Sequence, residues 1–231
     1  MENTNPEVTS VSIVPSTGVN SSTSLTCTAT ATDPDGGEPE LSYVWTNDTL
    51  GDILGTDNVV DLDPAYAQPG DTISCTVTAT DADGGTDSSS DSIDVENTNP
   101  VVTSVTITPS TGVDTATTLV CDATATDDDG DEPTFEFAWS NGSTGVDLGS
   151  GAEIRLTPLD SAPGDRIVCT ATATDSDGGT DSDSAAVEVE NTAPQVNRVS
   201  ITPNTDIDTS TILVCEASAT DADGDAVTIS Y

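Results

Sequence analysis

Apolar and hydroxyl side chains alternate one by one along most of the chain. Leu25, Cys27, Ala29 and Ala31 alternate with Thr26, Thr28, Thr30 and Thr32, while Ile73, Cys75, Val77 and Ala79 alternate with Ser74, Thr76, Thr78 and Thr80. Val101, Thr103, Val105 and Ile107 form an inward set against outward Val102, Ser104 and Thr106. A period of two places one set on a buried face and the other on a wet face, and threonine suits extended backbone, so antiparallel sheets are predicted. No window carries the 3.6-residue period of a helix. Strands are predicted near 101–108, 117–126, 134–140, 153–157, 166–174 and 184–190. They are labelled A, B, C, E, F and G, with Pro and Gly punctuation at 109–112, 141–151 and 163–164 supplying turns. Six or seven short strands in about 94 residues make a two-sheet sandwich.

The pattern recurs at a fixed interval of 94 residues. Pro6, Pro100 and Pro194 keep that spacing, as do Cys27, Cys121 and Cys215, Trp45 and Trp139, and Cys75 and Cys169. The expected organisation is one repeat over 1–95, a second over 96–189, and the N-terminal part of a third over 190–231. The third segment ends at Tyr231, before the positions of its Trp and second Cys, as expected of a piece cut from a longer array.

Charge narrows the partners. Asp and Glu number 42 against 3 Arg, with no Lys and no His, giving a net charge of −39. Nucleic acid and anionic membrane are excluded as partners, because a phosphate surface requires cations to meet it. No stretch approaches the ~20 apolar residues of a membrane span, so no membrane insertion is expected in this segment. Only 3% of residues are aromatic; such a chain must compensate for a thin core and screen its own repulsion, which suits an ion-rich exterior.

Cys27 and Cys75 are 48 residues apart, as are Cys121 and Cys169, with one Trp inside each interval. Without a CxxC or a His, a thiolate metal site is disfavoured. The order Cys, Trp, Cys resembles the immunoglobulin superfamily, although the Trp follows the first Cys by 18 residues, more than is usual there. The resemblance covers the chain repeat by repeat. It implies an all-β fold of tandem immunoglobulin-like antiparallel β-sandwiches in a linear array, with Cys27–Cys75 and Cys121–Cys169 disulfides joining strands B and F and the Trp of strand C packed on them. Oxidised cysteines imply an extracellular or cell-surface location.

Acidic loops follow every cysteine. Asp33 and Asp35, Asp81 and Asp83, Asp127 and Asp129, Asp175 and Asp177, and Asp221 and Asp223 each sit in an Asp-x-Asp-Gly motif whose first Asp is six residues after a Cys. If the cysteines are bridged in such a sandwich, six extended residues at ~3.3 Å lift both loops to one rim, above sheets ~10 Å apart. Linker residues Glu96, Asn97, Asn99 and Asn191 enter the same space. A carboxylate cluster without cations nearby calls for a counter-charge, and calcium takes 6 to 8 hard oxygen ligands. An EF-hand is excluded, because a loop begun at Asp33 or Asp127 places Val44 or Ala138 where a bidentate Glu is needed. Asp71 and Asp165, at the opposite end of the sandwich, are expected to reach the next junction.

The stretch Ala31 to Gly37 through Tyr43-Val44-Trp45 resembles polycystic-kidney-disease-type repeats of prokaryotic surface proteins. Ala79 to Gly85 together with Asn97-Thr98-Asn99-Pro100 is similar to the calcium motifs of cadherin-like repeats, which implies junctional calcium held by the residues named above. Thr98 stands where the cadherin linker usually has an Asp, and neither family generally carries this Cys pair.

Enzyme chemistry has little to work with, since the only cations are Arg155, Arg166 and Arg198. The expected role is structural: a stalk, fibre or filament whose partners are neighbouring repeats of the same protein and other copies. The alternative is an adhesin or binding module that recognises a glycan or protein through loops 46–57 and 140–151. Asn20, Asn47 and Asn141 begin glycosylation sequons.

Overall fold

A computed structural model describes residues 2–231. Among the described residues every regular element is a strand: β1 (Glu7–Val14), β2 (Ser24–Thr32), β3 (Glu40–Asn47), β4 (Asp52–Gly55), β5 (Val59–Asp61), β6 (Thr72–Thr80) and β7 (Thr86–Asp94), then β8 (Val101–Thr108), β9 (Thr118–Thr126), β10 (Thr134–Asn141), β11 (Val146–Ser150), β12 (Glu153–Arg155), β13 (Arg166–Thr174), β14 (Thr180–Glu188), β15 (Gln195–Thr202) and β16 (Val214–Thr220). The chain divides into two compact units, one holding the residues up to Val101 with Thr126–Thr134 and Thr174–Asp181, the other holding the remainder.

In the first unit one sheet has the order β1-β2-β5 and the other β4-β3-β6-β7. The Cys27–Cys75 disulfide joins β2 of one sheet to β6 of the other, and Trp45, on β3 beside Cys75, is fully buried with Leu25, Ile73 and Val77. This is the immunoglobulin-like β-sandwich. The Trp45 Nε1–H donates to the Asp57 carbonyl at 3.0 Å, so the ring is buried without stranding its polar atom. Outward hydroxyls pair across strands, Ser12 with Thr28 at 2.7 Å and Thr9 with Thr30 at 2.6 Å. Two carboxylates of β7 accept amides of the unpaired β1 edge, Val8 N–H to Asp87 at 2.9 Å and Ile13 N–H to Asp91 at 3.0 Å. They tie the sheets together along an edge that would otherwise expose free donors.

The second unit repeats the plan, with sheets β12-β9-β8 and β11-β10-β13-β14, the Cys121–Cys169 disulfide and buried Trp139. Here, among the described residues, β15 and β16 pair only with each other. Ile201, Ile207 and Leu213, which register with buried Ile107, Val113 and Leu119, are exposed, and Cys215 is a free, exposed thiol.

Three details depart from the sequence reading. Strand G is β14, beginning at Thr180 rather than 184, because Asp175 N–H bonds the Gly179 carbonyl at 3.1 Å and closes a tight hairpin directly after β13. The stretch 141–151 holds a strand, β11, paired with β10 across a turn closed by Gly145 N–H on the Asn141 carbonyl at 2.7 Å. Val101 and Thr103 face outward while Val102 is half-buried. In the matching strand β1 a bulge between Val8 and Ser10 shifts the register, so the strict alternation fails at the strand's start.

Asp71 and Asp165 do not extend toward another repeat. Asp71 Oδ2 accepts from Asn47 Nδ2 at 2.7 Å and from Gln68 N–H at 3.0 Å. The other side of that fully buried amide, Asn47 Oδ1, accepts from Thr49 N–H and Leu50 N–H. Asn141 and Asp165 repeat the arrangement at 2.7 Å. The pair thus fixes the turn after strand C to the turn before strand F, through Oδ2 of each carboxylate.

With so few aromatics, the cross-link is a major part of the sandwich's stability. Replacing both Cys27 and Cys75 with Ala is expected to lower unfolding free energy by about 4 kcal/mol, the chain-entropy value for a loop of this size, read from the shift in urea midpoint.

Candidate functional site: the carboxylate joints

Each acidic loop after strand B is built from its own first aspartate. Asp127 Oδ1 accepts the Asp129 N–H at 2.8 Å, Asp33 accepts that of Asp35 at 2.8 Å, and Asp221 that of Asp223 at 2.9 Å. These Asx turns deliver the second aspartate to the linker. Asp129 Oδ2 accepts both the N–H of Thr98 at 2.6 Å and its Oγ1–H at 2.7 Å, and Asp129 Oδ1 accepts the Ser21 N–H at 3.1 Å. Asp223 accepts the same pair from Thr192 at 2.6 and 2.7 Å, with Thr115 Oγ1 at 3.1 Å from its other oxygen. Asp35 accepts the Thr4 N–H at 2.5 Å. Asp129 is 1% exposed and Asp223 7%. Burial acts to raise the Asp129 carboxyl, but the bonds from Thr98 and Ser21 outweigh it and hold it below the usual carboxylate range. Asp223 is lowered by its bonds from Thr192.

Sequence reasoning passed over the donors. Thr98 entered it only as a missing acid, yet it supplies two donors to Asp129, and an aspartate there would supply a like charge. The recurrence of Thr4, Thr98 and Thr192 at the 94-residue interval, and of Ser21 with Thr115, was the available signal. Gly130 entered the sequence reading only as the last residue of an Asp-x-Asp-Gly motif. It has φ +84°, and a Cβ on it would come 2.9 Å from Pro64 Cβ, so its bareness also permits close approach to the first repeat.

The loops after strand F are self-satisfied. Asp175 accepts from Asn97 Nδ2 at 3.1 Å and from the Asp177 and Gly179 amides at 2.9 and 2.7 Å; Asp81 does the same with Asn3, Asp83 and Gly85. Asp83 and Asp177 contribute their amides while their carboxylates stay exposed. Asn99 Oδ1 and Asp175 Oδ2 converge over Gly179, where no side chain would fit. Glu96 turns back onto the β1–β2 turn of its own sandwich and accepts the Gly18 N–H at 3.4 Å, as Glu190 accepts that of Gly112 at 2.8 Å. Asn191 bonds the adjacent Thr192 carbonyl at 3.0 Å and does not join a carboxylate loop.

Among the described residues no three acidic, His or Cys side chains are placed to share a metal ion. Donor chemistry gives the reason, since the oxygens of Asp129, Asp175 and Asp223 already receive N–H and O–H groups. Asp127 differs. Its Oδ2 is buried without a partner, and its carboxyl is pushed up by burial and by the charges of Asp129, Asp175 and Asp131. This is the atom at which the donor set of the joint leaves room for a hard cation.

No family model matches the chain, and no curated protein matches it. Among solved structures, the three N-terminal domains of the highly immunogenic outer capsid protein of bacteriophage RB49 align at 16% identity over 94% of this chain and 69% of that one, TM-score 0.30. Sidekick-1 immunoglobulin domains 1–5 align at 18% identity over 95% and 46%, TM-score 0.36. A Ca2+-stabilized adhesin with which an Antarctic bacterium binds ice aligns at 20% identity over 88% and 54%, TM-score 0.30. None of these likenesses is close enough to assign a function.

Truncating Asp129 to Ala strands three donors, two of them amides, and is expected to cost roughly 2–3 kcal/mol at neutral pH, whereas Asp128→Asn, on an exposed side chain, stays within about 0.5 kcal/mol. Because the folded Asp129 carboxyl titrates below its unfolded value, its contribution is present at neutral pH and is lost as pH falls through the folded value. Denaturation midpoints of both variants across the acid range check the difference.

Proposed function

We propose that the chain is a non-enzymatic structural segment of an extracellular stalk, fibre or filament, whose repeats are held end to end by carboxylate joints and stiffened there by calcium. The observation that carries the reading is the recurrence of one bonding set: Asp129 with Thr98 and Asp223 with Thr192, both buried where surface aspartates are normally exposed. The two disulfides favour an oxidising exterior. Calcium is supported by the orphaned Asp127 oxygen and by a net charge of −39 that remains after the chain's own 3 cations are counted. When bound, the ion would supply positive charge to Asp127 and its acidic neighbours. Asp129 keeps its hydrogen bonds.

A second reading, as an adhesin or binding module acting through its loops, has one observation in its favour. Leu50 and Ile53 in the 46–57 segment are exposed, whereas the second repeat has Thr144 and Asp147 at those positions.

Calcium titration of the intact chain tests the structural reading. Calcium is expected to raise the melting temperature with half-effect near 10⁻⁴ to 10⁻³ M, as in extracellular modules, adding about 2.7 kcal/mol at a hundredfold excess over Kd. Asp127→Asn is expected to raise stability without calcium, by removing a buried unpaired charge, and to blunt the calcium response. A chelator that leaves melting unchanged at physiological salt would remove calcium from the proposal.

A further inference from the structure

The two complete repeats keep register without insertion, so each position in one serves as an internal control for the other. The largest chemical difference between them gathers at one place. β4 closes one sheet of the first sandwich and β5 closes the other, and between these two edges lies a cleft of about 340 Å³. Leu54 lines it from β4, with Asp52 and Ile53 beside it; Asp61, Asp63 and Tyr66 line it from β5 and the turn that follows. Ile53 is 70% exposed and Tyr66 59%, side by side with the cleft's carboxylates.

The turn that carries Tyr66 is fixed from beneath. Asn47 Nδ2 donates to the Tyr66 carbonyl at 2.9 Å, and Tyr66 N–H donates to the Asp63 carbonyl at 2.8 Å. Asp63 Oδ1 accepts the Ala65 N–H at 2.8 Å. The carboxylates of Asp52 and Asp61 have no hydrogen-bond or ion-pair partner among the described residues. In the second repeat the matching positions read Val146 for Asp52, Asp147 for Ile53, Arg155 for Asp61, Thr157 for Asp63 and Asp160 for Tyr66, while Leu148 matches Leu54. The scaffold is retained, and the cleft's three lining carboxylates, with no cation, become two carboxylates and an arginine.

We propose that this cleft is a docking site for a basic segment of another protein, one that presents an arginine or lysine next to an apolar side chain. Charge selects the partner: three carboxylates around a partly apolar floor match a cation on an aliphatic stem, which can lie along Leu54 and Ile53 with its head at Asp61 and its face on Tyr66. A second copy of this chain is disfavoured as the occupant, because two surfaces from a chain of net charge −39 repel each other. A free polyamine would use the charge alone and leave Ile53 and Tyr66 without a role. Neither calcium nor the joints enter the proposal, so its failure leaves the structural reading untouched.

The test follows amide shifts of the intact, isotope-labelled chain on titration with the blocked peptide Gly-Arg-Leu-Gly, with Gly-Glu-Leu-Gly and spermine as controls. The arginine peptide is expected to shift Ile53, Leu54, Leu62 and Tyr66 and not Asp147, Leu148, Leu156 or Asp160. Raising salt should weaken it. Asp61→Arg, which installs the residue of the second repeat, should weaken binding about tenfold or more, and Tyr66→Ala about two- to fivefold. Both positions are on the surface, and the second repeat folds without either side chain. Equal shifts in both repeats, equal binding of the glutamate peptide, or insensitivity to Asp61→Arg would overturn the proposal. So would spermine matching the peptide while Tyr66→Ala changes nothing, since the cleft would then read charge alone.

Discussion

A chain with 42 acids and 3 arginines must satisfy its carboxylates with N–H and O–H groups, and the buried Asp129 shows how. Two donors from Thr98 and one from Ser21 replace the water the carboxylate has lost. A bond from a neutral donor to an ionised acceptor is stronger than a neutral pair and needs no counter-ion. The same solution recurs with weaker burial in Asp87 and Asp91 on the β1 edge, and in Asp71 on the Asn47 amide. Carboxylates do here what lysines and backbone partners do elsewhere, binding edges, turns and linkers together.

That constraint separates the acidic residues by role. Asp129 and Asp223 carry full sets of donors and are held in their ionised form, whereas Asp127 has spent one oxygen on its turn and left the other buried and bare. The sandwich beneath is correspondingly simple: one disulfide, one tryptophan and a ring of Val, Leu and Ile, with hydroxyl pairs on the wet faces. Stability concentrated in a few contacts makes each of them costly to lose.

Much of this was legible in residues alone. Period-two alternation at Leu25 to Ala31 and Ile73 to Ala79, with the Cys and Trp spacing, located both sheets and the bridge between them. The meeting of Asp175 with Asn97 is the part of that loop cluster the residue count anticipates. What escaped was the identity of the donors. Composition shows an excess of acid and suggests a cation, but whether an amide and a hydroxyl already fill that place depends on how Thr98 turns at the linker. The bulge near Val8 escaped for a similar reason, because one inserted residue reverses faces without altering the pattern. The cleft beside Tyr66 could have been found by comparing the two repeats position by position, since Arg155 for Asp61 is visible in the sequence itself.

Amide hydrogen exchange tests the central claim most directly, because it reads the donors themselves. In the intact chain the Thr98 and Ser21 amides are expected to exchange slowly. In Asp129→Ala both should quicken by about tenfold or more while Val77, in the core of β6, keeps its rate. Unchanged rates at Thr98 and Ser21 would mean that the aspartate does not hold the joint.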